Sequence, residues 1–228
     1  MTKSPVKLAG ELPKMVVFDL DFTLWDLWCD THVTPPLTRR GDELNRVHDR
    51  YGQPLSFYRD VPAILFQLHH SNIHVAAASR THAPKVARQI LSELLLPGSR
   101  RDSGRDPLKA HGDGEKKETV SAIKLFDSME IYPGSKMDHF RELNRKTGIP
   151  FNQMVSPAPS GLDLEARTSR SLPFYLITTT DFFYESRNRE VAKLGVTFVL
   201  VGSGGVTRQL FESGLEAWRA GLTSRREL

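Results

Sequence analysis

Short apolar runs alternate along this chain with longer stretches whose apolar residues recur at spacings of three and four. Residues 15–18, Met-Val-Val-Phe, form a continuous apolar run that reads as a buried strand and stops at Asp19-Leu20-Asp21. Residues 61–70 place Ile64, Leu65 and Leu68 on one face of a predicted helix. A second apolar run, residues 73–78, is again strand-like and ends at Ser79-Arg80-Thr81. Residues 83–96 carry Val86, Ile90, Leu91 and Leu94 at helical spacing. Residues 135–147 carry Met137, Phe140 and Leu143, with Gly148 placed to end that helix. A β-branched run at 196–201 precedes glycines and a last predicted helix over 207–220. Strands alternating with helices predict an α/β fold, a three-layer sandwich whose parallel sheet is covered on both faces.

Two stretches break this rhythm. Residues 97–118 hold two prolines, four glycines, six basic and five acidic residues and almost nothing apolar, which predicts a surface insertion without packed structure. Residues 155–180 begin with Pro157 and Pro159, pass through a Ser/Gly/Arg-rich middle, and close on Phe174-Tyr175-Leu176-Ile177 and three threonines. The first half of that stretch predicts a long loop and the second half a strand. With both set aside as insertions, the 228 residues make a single domain.

Composition narrows the classes. A hydrophobic fraction of 39% excludes a chain disordered throughout, and no run approaches the roughly 18 apolar residues of a membrane span. The net charge of +4 comes from interspersed signs, and the six basic and five acidic residues of 97–118 leave that segment nearly neutral, so no nucleic-acid partner is expected. Cys29 is the single cysteine, which excludes an intrachain disulfide and a Cys-rich zinc site. With an N-terminus lacking an apolar signal core, it predicts a cytoplasmic protein, expected to be a monomer.

The candidate chemistry lies where the first strand ends. In parallel α/β sheets ligands bind beyond the carboxyl ends of strands, and Asp19 and Asp21 stand there. Two carboxylates so close repel, and a Mg²⁺ ion with hard oxygen ligands would relieve that. One carboxylate can then act as a nucleophile and the other as general acid and base. The alternative is a strand-end turn with two solvated acids. Ser79 closes the second strand, where a hydroxyl and neighbouring N–H groups can hold a phosphoryl oxygen; its other reading is an ordinary helix entry. Arg80 offers a bidentate phosphate contact or a surface ion pair. Lys136 opens a helix, against the macrodipole, which a charge recruited to meet a carboxylate and a phosphate would explain; a solvated lysine is its other reading.

FDLDFT, AASRT and IYPGSK resemble, in order, the first three signature motifs of the haloacid-dehalogenase-like phosphatases. The longer strings VVFDLDFTLWDLWCDTHVTPP, EIYPGSKMDHF and ESRNREVAKLGVTF are similar to a small magnesium-dependent branch of that family. The resemblance implies a Rossmann-like fold with a minimal cap, here a short flap around Trp25, Trp28 and residues 30–32. It implies that Asp19 attacks phosphorus, that Asp21 protonates the leaving oxygen and later activates water, and that Asp19 and Asp21 hold Mg²⁺, Asp21 through its carbonyl. It further implies that Ser79 binds the phosphoryl group, that Lys136 neutralises nucleophile and phosphate together, and that Arg80 helps to hold the substrate. The substrates implied are protein phosphotyrosine or sugar phosphates, making the partner a phosphorylated small molecule or a phosphoprotein. His32 is read as packing in the flap, with substrate contact as the alternative.

The fourth motif departs from the family's pattern. Where it calls for two aspartates before a glutamate, this chain has Phe183 and Tyr184 before Glu185. Asp181, the candidate third metal ligand, stands two positions early, about 6–7 Å along a strand. The resemblance also implies that Met154 runs nearly straight into this motif. Residues 155–180 therefore read as sequence retained from an intron, and with the acidic motif disrupted the alternative is an impaired domain that binds phosphorylated partners. A processed message encoding the whole segment would exclude the intron.

Overall fold

The computed structural model describes residues 8–98, 119–159 and 188–226. Five parallel strands form the central sheet: β1 (Met15–Phe18), β4 (His74–Ser79), β7 (Ser128–Ile131), β8 (Met154–Pro159) and β9 (Thr197–Val201). Their spatial order is β7-β4-β1-β8-β9, so β1 lies at the centre. Two small antiparallel pairs stand apart from it: β2 (Val47–His48) with β3 (Pro54–Leu55), and β5 (Leu95–Pro97) with β6 (Thr119–Ser121). The helices are α1 (Val61–His70), α2 (Pro84–Glu93), α3 (Lys136–Thr147) and α4 (Arg208–Arg226).

Alternation along β1 divides the core in two, because successive strand residues face opposite sides of the sheet. Val16 and Phe18 join Ile64, Leu65 and Leu68 of α1, Ile90 and Leu91 of α2, and Phe211, Leu215 and Trp218 of α4. Met15 and Val17 join Phe140 and Leu143 of α3, together with Val191 and Val196. The expected three-layer α/β sandwich is the fold observed. The predicted helix at 135–147 is also found: the Ser135 hydroxyl accepts a hydrogen bond from Met137 N at 3.1 Å, and Gly148, at φ +68°, donates to Asn144 O at 2.8 Å. Gly205 is required for a second reason, since a Cβ there would lie 2.0 Å from the Tyr58 ring.

Two expectations are corrected. The helix predicted over 83–96 ends at Glu93, because Leu94 is extended and residues 95–97 pair with 119–121. Leu94 and Leu96 are both fully buried, so their period of two within this small pair outweighs the helical spacing that precedes them. Residues 155–159, read as the start of a loop, belong to a core strand. Val155 and Ala158 are buried, and β8 pairs with β9 over its last five residues. Its ladder to β1 covers only Met154 and Val155. Pro157 accepts from Asp19 N on the β1 side at 3.1 Å, so the N–H that proline lacks is missing on that same side. Residues 160–180 of the second stretch, with the rest of its expected loop and its expected strand, and nearly all of the 97–118 insertion lie outside the described residues, although Pro97 itself closes β5.

Candidate active site

Strands β7, β4 and β1 deliver their carboxyl ends to one edge of the sheet, and the turn after β7 returns there as the start of α3. Asp19 follows β1 directly, with 4% of its surface exposed. Lys136 begins α3, is equally buried, and places its Nζ 3.0 Å from Asp19 Oδ1. The same ammonium donates to the carbonyl of Ala78 in β4, and Leu20 N donates to Asp19 Oδ1 at 2.9 Å. Burial holds Lys136 below the usual lysine range, while the Asp19 carboxylate works to keep it charged and the Arg80 charge works against it. The lysine that opens a helix against its dipole is therefore anchored by tertiary contacts.

Asp21 stands two residues on and is turned toward the segment that follows it. Its Oδ1 accepts from Trp25 Nε1 at 2.7 Å and from the backbone N–H of Cys29 at 3.2 Å. The Cys29 thiol lies 3.6 Å from Oδ2. Burial pushes the Asp21 pKa up to about 7, the Trp25 hydrogen bond working against this and the Asp19 charge adding to it. With Oδ1 already accepting two N–H groups, a proton taken up by Asp21 belongs on Oδ2. Two buried carboxylates with different environments are the arrangement that separates a nucleophile from an acid.

Ser79 ends β4, is 2% exposed, and accepts from Thr81 N at 3.3 Å. Arg80 follows at the same edge, half-buried. Five of the six predicted site residues, Asp19, Asp21, Ser79, Arg80 and Lys136, thus come together at one edge of the sheet. Asp181, the sixth, lies outside the described residues, as does Glu185. Among the described residues no group of three or more His, Cys, Asp or Glu side chains is arranged to hold a metal ion. Register carries Ala158 of β8 level with Asp19, and it brings no carboxylate. The donors at hand are the Asp19 carboxylate, whose Oδ1 is engaged by Lys136 and Leu20, and the Asp21 main-chain carbonyl. They fit a Mg²⁺ ion that keeps most of its water, since that ion commonly takes only one or two carboxylates.

Comparison with known proteins follows the same residues. The Acid Phosphatase family matches residues 11–156, which includes every site residue described above. A HAD-like hydrolase superfamily protein of Schizosaccharomyces pombe is 38% identical over 189 residues, covering 83% of this chain and 86% of its own length. The chain belongs to the haloacid-dehalogenase-like hydrolases, in their acid phosphatase family. Magnesium-dependent phosphatase 1 of Homo sapiens is 34% identical over 216 residues, covering 94% of this chain and 92% of that protein.

The flap is built as expected in outline. Trp28 packs edge-on to Phe22, with centroids 5.1 Å apart, and stacks on His32 at 5.5 Å. His32 Nδ1 accepts from Trp28 N at 3.0 Å, so the histidine packs within the flap. Sequence reasoning placed Trp25 in the flap without its bond to Asp21, and it missed three more residues that shape the site, Cys29, Thr81 and His139. Trp25 and Cys29 grip Asp21, and Thr81 lies 3.1 Å from the Cys29 sulfur. His139 is fully buried one turn after Lys136; its Nε2–H donates to Tyr132 O at 3.1 Å, leaving Nδ1 bare. Burial and the Lys136 charge hold the His139 pKa down at about 4. The spacing of Lys136 and His139 on one helix face was the only available signal. No helix among the described residues is long and apolar enough to cross a membrane.

Proposed function

We propose that this chain hydrolyses phosphomonoesters through an aspartyl-phosphate on Asp19, in the presence of Mg²⁺. The observation that supports it most is a buried carboxylate neutralised by Lys136, two residues from a carboxylate whose pKa is raised to about 7. In the first half-reaction an Asp19 oxygen forms a bond to phosphorus as the ester P–O bond breaks, and Asp21 Oδ2–H gives its proton to the leaving oxygen. In the second, Asp21 takes a proton from water as that water attacks phosphorus, and the bond to Asp19 breaks to release inorganic phosphate. Ser79 and Arg80 hold phosphoryl oxygens, and Lys136 offsets the charge that nucleophile and phosphate bring together. Mg²⁺, held by Asp19 and the Asp21 carbonyl, supplies further neutralisation of the phosphoryl oxygens when bound.

The minimal flap suits an open site, and protein phosphotyrosine or sugar phosphates are the substrates we propose, handled by a cytoplasmic monomer. Acid quench during turnover followed by mass spectrometry tests the mechanism: one phosphoryl group on the peptide carrying Asp19 is expected. Steady turnover by Asp19→Asn would end the assignment. The fourth motif, with Phe183 and Tyr184 where aspartates are expected, favours a second reading, a domain that binds phosphate esters but turns them over poorly. Mg²⁺ titration with p-nitrophenyl phosphate separates the two, since the second reading requires binding without saturable, metal-dependent turnover.

A further inference from the structure

The Cys29 sulfur sits between two oxygens, 3.6 Å from Asp21 Oδ2 and 3.1 Å from Thr81 Oγ1. Thr81 Oγ1 also accepts from Ala83 N at 3.1 Å, at the entry to α2. All three side chains are buried. A thiol has one proton, and of its two neighbours the carboxylate is the stronger acceptor, so S–H points to Asp21 and the Thr81 hydroxyl donates to sulfur. Thr81 belongs to the turn that carries Ser79, whose Oγ accepts from Thr81 N. The chain of contacts therefore runs from the phosphate-binding turn, through the flap, to Asp21 Oδ2.

We propose that Cys29, backed by Thr81, is a positioning residue that orients Asp21 Oδ2 toward the leaving oxygen of the substrate; this rests on the acid/base reading of Asp21 given above. The Cys29 N–H and Trp25 fix Oδ1, while the thiol and hydroxyl set the direction of Oδ2. Because the flap supplies the cysteine and the β4 turn supplies the threonine, seating a phosphoryl group at Ser79 and aiming the acid become one arrangement. The effect should fall on leaving groups that need a proton. An alkoxide leaves poorly without one, whereas p-nitrophenolate leaves readily.

The test compares glycerol 2-phosphate with p-nitrophenyl phosphate at saturating Mg²⁺, using the full chain. Cys29→Ala should lower kcat about tenfold on the alkyl ester and less than about threefold on the aryl ester, with KM little changed, the loss of one buried hydrogen bond. Cys29→Ser, which keeps a donor, should recover most of that loss. Thr81→Val should behave like Cys29→Ala, and the double variant should be no worse than either single one. Equal losses on both esters, or no loss with the fold intact by circular dichroism, would overturn the proposal. Asp21→Asn is the separate control: if it turns over the alkyl ester at the wild-type rate, the acid/base reading itself fails and the positioning role with it.

Discussion

Strands β1 and β8 are neighbours, run the same way and finish at the same edge of the sheet, but their ends are built differently. Beyond β1 stand Asp19 and Asp21, buried and supplied with partners from two other segments, Lys136 from α3 and Trp25 and Cys29 from the flap, and by the N–H of Leu20 between them. Beside them β8 ends Pro157-Ala158-Pro159, with a shortened ladder to β1 and no charge level with Asp19. A buried charge persists only where partners surround it. Among the described residues the carboxylates and their partners thus gather at the β1 end, and the end of β8 adds none.

Four experiments break or sharpen that contrast, from the largest effect to the smallest. Asp19→Asn should lower kcat by about 10⁴-fold or more, as removal of a covalent nucleophile does, with the circular dichroism spectrum unchanged. Lys136→Met leaves Asp19 buried without its ammonium, and denaturant melts should show a loss of about 3 kcal/mol. Combining Asp19→Asn with Lys136→Met removes both members of the buried ion pair, and most of that stability should return. A double variant as weak as the single one would show that Lys136 stabilises by its contact with Ala78 instead.

Ala158→Asp makes the opposite change, bringing a carboxylate to the β8 side. In EDTA it should destabilise the fold by about 2 kcal/mol through repulsion with Asp19 and the burial of a charge, and Mg²⁺ should reverse most of this. A thermal shift indifferent to Mg²⁺ would place the new carboxylate away from Asp19. His139 gives the smallest and most local effect. Its pKa is depressed from 6.5 to about 4, so the folded state binds fewer protons than the unfolded state between those values. Stability from this group is present above pH 6.5 and is lost as pH falls toward 4. Asp21 acts in the opposite sense in metal-free protein, since a raised carboxylate pKa removes stability as pH rises from 3.8 to about 7. An NMR titration in which the His139 ring stays unprotonated down to pH 5 would support the assignment; protonation near pH 6.5 would contradict it.

Much of the site was legible because its residues sit at strand ends and a helix start, and those positions follow from local pattern. Asp19 and Asp21 ended an apolar run, Ser79 ended another, and Lys136 opposed a helix dipole. Cys29 and Thr81 were not legible, because 52 residues separate them and their contact depends on how the flap folds back over β4. The strand at 154–159 was misread for a related reason. Two prolines argue against a central strand, yet their missing N–H groups face one side only, and β9 pairs with the other.

The sequence by itself determined the alternation of strands and helices, the sheet edge where the chemistry lies, and the family, all through periodicity and short motifs that act over a few residues. Tertiary structure alone decided which carboxylate is neutralised and which keeps a proton near pH 7. That outcome depends on burial and on partners drawn from distant segments, and a pKa is set by the space around a group.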